Sequence, residues 1–226
     1  MARFMQDPRR RNLYGRHSGR PLRPAQTAVL EQVSQSHGFR AEEISALLKS
    51  HKQAWLEIGI GAGEHLAWQA AHNPDTLLIG AEYFLNGFAR ACKHVADGNL
   101  RNVRLHQGDA RDVMDALPDG CLQQAFILHP DPWPKARQWR RRIVSEETLT
   151  TLARLMVPGA RLRIASDHAD YQPWIMRVLM THPSFIWTAK RAEDWTLRPD
   201  DWPQTRYEAK SIREGRPTMY IEARRV

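Results

Sequence analysis

Seven consecutive residues, His129-Pro130-Asp131-Pro132-Trp133-Pro134-Lys135, place one acid and one indole on a turn stiffened by three prolines. Proline fixes φ and restricts the residue before it, so Asp131 and Trp133 are held rather than left floppy. Arg137, Arg140, Arg141 and Arg142 follow at once. A fixed carboxylate and an indole beside a block of positive charge suit a site that grips a flat ring next to an anionic partner. A second group lies upstream, where Glu57-Ile58-Gly59-Ile60-Gly61-Ala62-Gly63 joins an apolar run to a helical pattern. Together the two segments point to a nucleotide-like cofactor facing a nucleic acid.

A glycine turn between strand and helix lets backbone approach a ligand where no Cβ intervenes. Here the spacing is Gly59-x-Gly61-x-Gly63, and Glu64 stands where the dinucleotide fingerprint has its last glycine. No Gly-Lys-Ser or Gly-Lys-Thr occurs to hold a triphosphate. The ligand therefore lacks a chain of phosphates. Glu57 in the first expected strand, Glu82 at the end of the second and Asp109 after the third fall at carboxyl ends of strands, where open α/β sheets bind ligands. S-adenosyl-L-methionine fits that set, because its ammonium, sulfonium, ribose hydroxyls and adenine amino group are all partners for an acid. The expected cofactor residues are Glu57, Gly59, Gly61, Glu82, Asp109 and Asp131. No metal is expected: Cys92 and Cys121 are far apart, with neither zinc-ligand nor disulfide-framework spacing.

The elements that must position these groups can be read from hydrophobic period. Two helices, 25–36 and 41–52, come before the sheet. Short apolar runs at 54–58, 76–81, 103–107, 124–128 and 160–166 then alternate with helical stretches at 63–72, 85–95, 110–117, 146–156 and 170–181, the pattern of a parallel α/β sheet. Ser145 is a plausible N-cap, with Glu146 and Glu147 suiting the positive end of the helix dipole. Beyond them, 185–189, 207–212 and 218–223 read as strands, and the last two should form a terminal hairpin on the sheet edge. The fold class is thus a Rossmann-like, doubly wound, mostly parallel sheet with an antiparallel C-terminal hairpin strand. Residues 25–226 form one domain, preceded by a basic arm, 1–24, open to disorder in the absence of an anionic partner.

Charge sets the class of partner. Lys and Arg number 33 against 25 acids in 226 residues, a net charge of +8, and 42% of residues are hydrophobic, enough for a sizeable core. The excess is clustered: Arg3, Arg9, Arg10, Arg11, Arg16, Arg20 and Arg23 face the single acid Asp7 over the first 23 residues. No apolar stretch of about 18 residues occurs, and none follows the basic N-terminus, so neither a membrane span nor a signal peptide is expected. Two isolated cysteines suit a reducing cytoplasm. No protein partner is indicated, and monomer and homodimer both remain open.

With these residues in view, the chain resembles the bacterial tRNA (guanine-N7)-methyltransferases, whose pattern includes a Glu-Ile-Gly-x-Gly-x-Gly loop and an Asp-Pro-Trp-Pro-Lys-x-Arg-His-x-Lys-Arg-Arg signature. Here the second reads Asp131 to Arg142, with Gln138 in place of His and Arg140 in place of Lys. Asp167 in Ala-Ser-Asp, and Thr205-Arg206-Tyr207-Glu208-Ala209-Lys210, resemble further family segments. The resemblance implies a class I S-adenosylmethionine-dependent enzyme acting on the variable-loop guanine, position 46, of tRNA. It implies Asp131 as the catalytic residue, and Lys135, Asp167, Thr205, Arg206, Tyr207 and Glu208 as substrate-binding residues. It also places Arg137, Gln138, Trp139, Arg140, Arg141 and Arg142 against RNA. Two other classes stay open on residues alone: a catalytically silent RNA-binding module, and a methyltransferase for a small molecule or another RNA.

Overall fold

The computed structural model describes residues 12–40 and 43–226. Arg3 and Arg9 to Arg11 of the basic arm therefore lie outside the described residues, as do Ala41 and Glu42. Described elements run in the order α1 (Pro24–His37), α2 (Ile44–Lys49), β1 (Gln53–Ile58), α3 (Glu64–His72), β2 (Thr76–Glu82), α4 (Leu85–Asp97), β3 (Val103–Gln107), α5 (Ala110–Ala116) and β4 (Leu122–Leu128). A 3₁₀ helix (Ala136–Arg141) precedes α6 (Glu146–Leu155), β5 (Met156–Ser166), α7 (Gln172–Thr181), β6 (Phe185–Trp187), α8 (Glu193–Thr196), α9 (Arg206–Arg213) and β7 (Met219–Arg225).

One sheet gathers all seven strands in the order β3-β2-β1-β4-β5-β7-β6, parallel except at β7, which pairs antiparallel with both β5 and β6. Strand residues alternate between faces, and the core divides accordingly. Ala54, Leu56 and Ile58 of β1 pack in one buried cluster with Val113 of α5, Leu152 of α6 and Ile175 of α7. Trp55 belongs to the other, with Val33 of α1, Leu66 of α3 and Phe88 of α4. Helices cover both faces, which is why the inner strands read as near-continuous apolar runs. Full burial of a side chain such as Leu56 or Phe126 stabilises the fold by roughly 1.5–3 kcal/mol.

Strand order reverses between β1 and β4, so a crevice opens beyond their carboxyl ends. The five parallel strands and their helices fall close to the ranges read from sequence, and Ser145 caps α6 by accepting from Thr148 N at 3.2 Å.

The expected strand at 207–212 is instead helix α9, so the terminal hairpin is built from β6 and β7, with β7 inserted beside β5. The cause is local. Thr205 caps the helix through Glu208 N, and Thr-x-x-Glu is a capping-box spacing that outweighs the weak apolar alternation after it.

Candidate active site

The crevice holds a cleft of about 550 Å³ whose walls come from every carboxyl end around the switch point. Glu57, Gly59, Gly61, Glu82 and Asp109 line it together with Asp131, Trp133, Arg140, Arg141 and Arg142. The cofactor residues expected from sequence are thus brought together, with Asp131 near enough for its charge to act on Glu82 and with Arg140, Arg141 and Arg142 in the same lining.

Gly59, Gly61 and Gly63 all lie in the left-handed region, with φ of 74°, 55° and 76°. At Gly63 the constraint is double, because a Cβ there would sit 2.6 Å from Ala91 Cβ on α4. Space above Gly59 is open, with nothing within 4 Å of an added Cβ, so the loop forms a cradle a ligand can enter. Glu82 reaches across it and accepts from Gly61 N and Phe84 N, each at 2.7 Å. Burial pushes its carboxyl pKa up, and the charge of Asp131 adds to that. Glu57 is buried and meets His65 Nδ1 at 2.7 Å, while His65 Nε2 lies 3.2 Å from Gln69. Asp109 caps α5 through Arg111 N and meets the Arg111 guanidinium at 2.8 Å and 3.0 Å. His65 and Arg111, absent from the sequence-derived set, fix how these two acids are presented.

The loop after β4 is strained on either side of its acid. His129 and Trp133, neither a glycine, have φ of 48° and 43°, a region costing of order 1–3 kcal/mol for such residues. Asp131 between them faces the cleft, and loss of hydration raises its carboxyl above the ordinary carboxylate value. Nearby, Arg141 lies over Tyr14 at 4.4 Å and over Trp133 at 4.9 Å. The described part of the basic arm thus crosses the cleft. His17 O accepts from Leu85 N at 2.8 Å, Asn86 bonds both Gly19 N and Arg20 O, and Asn12, Leu13, Tyr14 and Arg16 join the lining. An aromatic residue set among arginines was the available signal for Tyr14.

Placement of the expected substrate and RNA residues is mixed. Thr205 and Tyr207 line the cleft, and the Tyr207 ring covers the glycine loop, 3.2 Å from where a Gly61 Cβ would lie. Lys135, Arg137 and Arg140 are exposed beside it, whereas Gln138 is half-buried and Trp139, 40% exposed, packs on Trp174 at 5.6 Å. Arg206 does not line the cleft but docks α9 onto α3, its backbone N donating to Glu64 at 2.8 Å.

Glu208 is only 2% exposed and accepts from Tyr220, with Arg198 at 3.8 Å. It does not line the cleft in this conformation, whereas its neighbour Tyr207 does. Asp167 likewise turns toward α9 and the following loop. It lies 3.4 Å from His129 Nδ1 and accepts from Ser211 at 2.5 Å and Arg216 at 2.7 Å. Those contacts, His129 foremost, hold its carboxyl far below the usual range. Asp167 therefore anchors the end of β5 to α9 in this conformation. Arg142 also lines the cleft but is only 4% exposed, unlike Arg137 and Arg140. Among the described residues no cluster of His, Cys, Asp or Glu suits a metal ion, and no helix is long and apolar enough to cross a membrane.

The strand order, the glycine cradle and the acids at successive strand ends define a class I methyltransferase. Comparison with known proteins agrees. Residues 51–221 match the model of a family described as "Putative methyltransferase". The chain is 42% identical over 219 residues to the tRNA (guanine-N(7)-)-methyltransferase of Zymomonas mobilis, covering 96% of this chain and 95% of that one. It is 46% identical to the Caulobacter vibrioides protein of the same name, over 91% and 92% of the two chains. In fold it resembles the 16S rRNA (adenine(1408)-N(1))-methyltransferase from Catenulisporales acidiphilia, with a TM-score of 0.55 at 18% identity over 83% and 94% of the chains. The chain belongs to the tRNA (guanine-N7)-methyltransferase family.

Proposed function

We propose that the protein transfers the methyl group of S-adenosyl-L-methionine to N7 of the variable-loop guanine, position 46, of tRNA. The observation that carries this reading is that the acids of the cradle, Asp131 and arginines of the following 3₁₀ segment all line one cleft. When bound, the cofactor supplies an electrophilic sulfonium methyl. Glu57, Glu82 and Asp109, with the open face of the glycine loop, suit its ammonium, ribose and adenine.

N7 of guanine carries an in-plane lone pair and no proton, so no base is needed to create the nucleophile. The protein's task is to orient and to stabilise charge. Holding the partners in line contributes up to about 7–11 kcal/mol in favourable intramolecular models. Methylation leaves the purine cationic, and Asp131, partly stripped of water, favours that charge as it develops. Trp133 and Tyr207 add aromatic surface to the cleft lining, and Lys135, Arg137, Arg140 and the arm's Arg16 offer charge for phosphates. Phosphate contacts position tRNA without reading sequence, so choice of base rests on shape and accessibility. A cytoplasmic enzyme needing no partner protein, active as monomer or homodimer, is consistent with this reading.

Position within tRNA is tested by methylating an unmodified transcript, cleaving the chain chemically at 7-methylguanosine and sizing the fragments. The expected cut falls in the variable loop, and replacing that guanine with adenine abolishes it. Cutting elsewhere, or undiminished labelling of the replaced transcript, contradicts the assignment.

A further inference from the structure

We infer that Arg142 is a positioning residue that clamps the loop carrying Asp131, rather than a contact to tRNA phosphate. Its place follows from the geometry of the 3₁₀ helix. At three residues per turn, side chains at i and i+3 eclipse, so Arg137 and Arg140 share one ridge while Trp139 and Arg142, just past the helix end, share another. The first ridge is exposed. Along the second, Arg142 is nearly buried, its guanidinium 5.1 Å from the Trp139 ring, 4.9 Å from Tyr171 and 4.8 Å from Trp174. Three ring faces thus provide favourable partners for a largely desolvated cation. Among the described residues it forms no ion pair, and Nη2 has no hydrogen-bond partner.

What Arg142 does reach is the backbone next to the reacting acid. Its Nε donates to Pro132 O at 2.9 Å, one residue beyond Asp131. The sequence explains why this contact matters. Pro130, Pro132 and Pro134 lack amide hydrogens, so at those positions the loop can be gripped only through carbonyls. Trp139 Nε1 makes a longer approach to Pro134 O, 3.4 Å. The cage itself is fixed, since Tyr171 is fully buried with its hydroxyl accepting from Val144 N, and Trp174 Nε1 donates to Val144 O at 2.8 Å. A loop strained at His129 and Trp133 needs such an external hold to keep Asp131 in one place. Lysine preserves the charge but not the flat fork that both stacks and donates sideways.

The inference rests on the methyl-transfer reading. The test compares R142M, R142K and the exposed-ridge control R140A in single-turnover methylation at saturating tRNA and cofactor, per site counted by cofactor binding. Affinity for tRNA is measured in parallel across a salt series. A displacement of about 1 Å at a reacting group can cost about 100-fold, so R142M is expected to lower the turnover constant by about 10–100-fold and R142K by less. Both should keep tRNA affinity within about twofold and an unchanged salt slope, whereas R140A weakens binding and reduces the slope by about one. If R142M fails to fold, R142K carries the test alone. Parental turnover in every folded Arg142 variant, or weakened tRNA binding with a reduced salt slope at parental turnover, overturns the inference. An inactive parent protein would instead overturn the methyl-transfer reading itself.

Discussion

Replacing Asp131 with alanine or asparagine is expected to lower the turnover constant at saturating substrates by about 100- to 1000-fold, the range seen when one preorganised electrostatic group is lost, while tRNA still binds. Binding survives because the phosphate contacts lie on other side chains. The acid branch of the pH profile carries the same signature. Asp131 must be ionised to favour the cationic purine, and desolvation holds its pKa above the ordinary carboxylate value. Turnover should therefore fall on acidification, beginning at a higher pH than an aspartate of ordinary pKa, about 3.9, would give, and the Asp131→Asn enzyme should lose that branch. Stability should move the other way. A raised folded-state pKa means the fold disfavours the charged form, so above the unfolded pKa Asp131→Asn removes a cost and should not melt below the parent protein. Near-parental turnover in either variant removes Asp131 from the mechanism.

The second large effect is expected at Gly63→Ala. The substitution asks an L residue to hold φ of 76° and drives its Cβ to 2.6 Å from Ala91 Cβ and 2.8 Å from Ala91 Cα. Left-handed strain and overpacking each cost about 1–3 kcal/mol, and the backbone of α4 at Ala91 must give way to admit the methyl group. A loss of about 3 kcal/mol is expected, a drop in melting temperature of roughly 6–12 °C for a domain of this size, with weakened cofactor binding because the cradle shifts. Gly59→Ala provides the comparison. Its φ of 74° is similar but its Cβ meets open space, so it should lose less stability. Equal melting of the two variants would show that contact with α4 is not what requires glycine at position 63.

Which parts of this site were legible in the sequence follows from the period of each element. Central strands buried on both faces announce themselves as short apolar runs, so the strand ends, and with them Glu57, Glu82, Asp109 and Asp131, could be placed before any coordinates. Helix α9 was misread because its buried positions are Glu208 and Ser211, polar residues that give no apolar stripe. The better signal was Thr205 followed three residues later by Glu208. The site is little changed by that difference, because the helix still brings Thr205 and Tyr207 to the cleft while Glu208 meets Tyr220. Arg142 illustrates a different limit. Charge counts treat four arginines alike, while a 3₁₀ turn leaves Arg137 and Arg140 exposed, lays Arg141 over Tyr14 and Trp133, and cages Arg142. Tyr14 was hidden by composition, in a basic arm whose described part packs across the cleft.

The central claim, that cofactor cradle and tRNA surface share one crevice governed by Asp131, is tested most directly by nucleoside analysis of unmodified tRNA incubated with the protein and methyl-labelled S-adenosyl-L-methionine. The account predicts label in 7-methylguanosine, approaching one equivalent per tRNA, and almost none with the Asp131→Ala protein. Label on a different ring atom, or equal labelling by the two proteins, would contradict it.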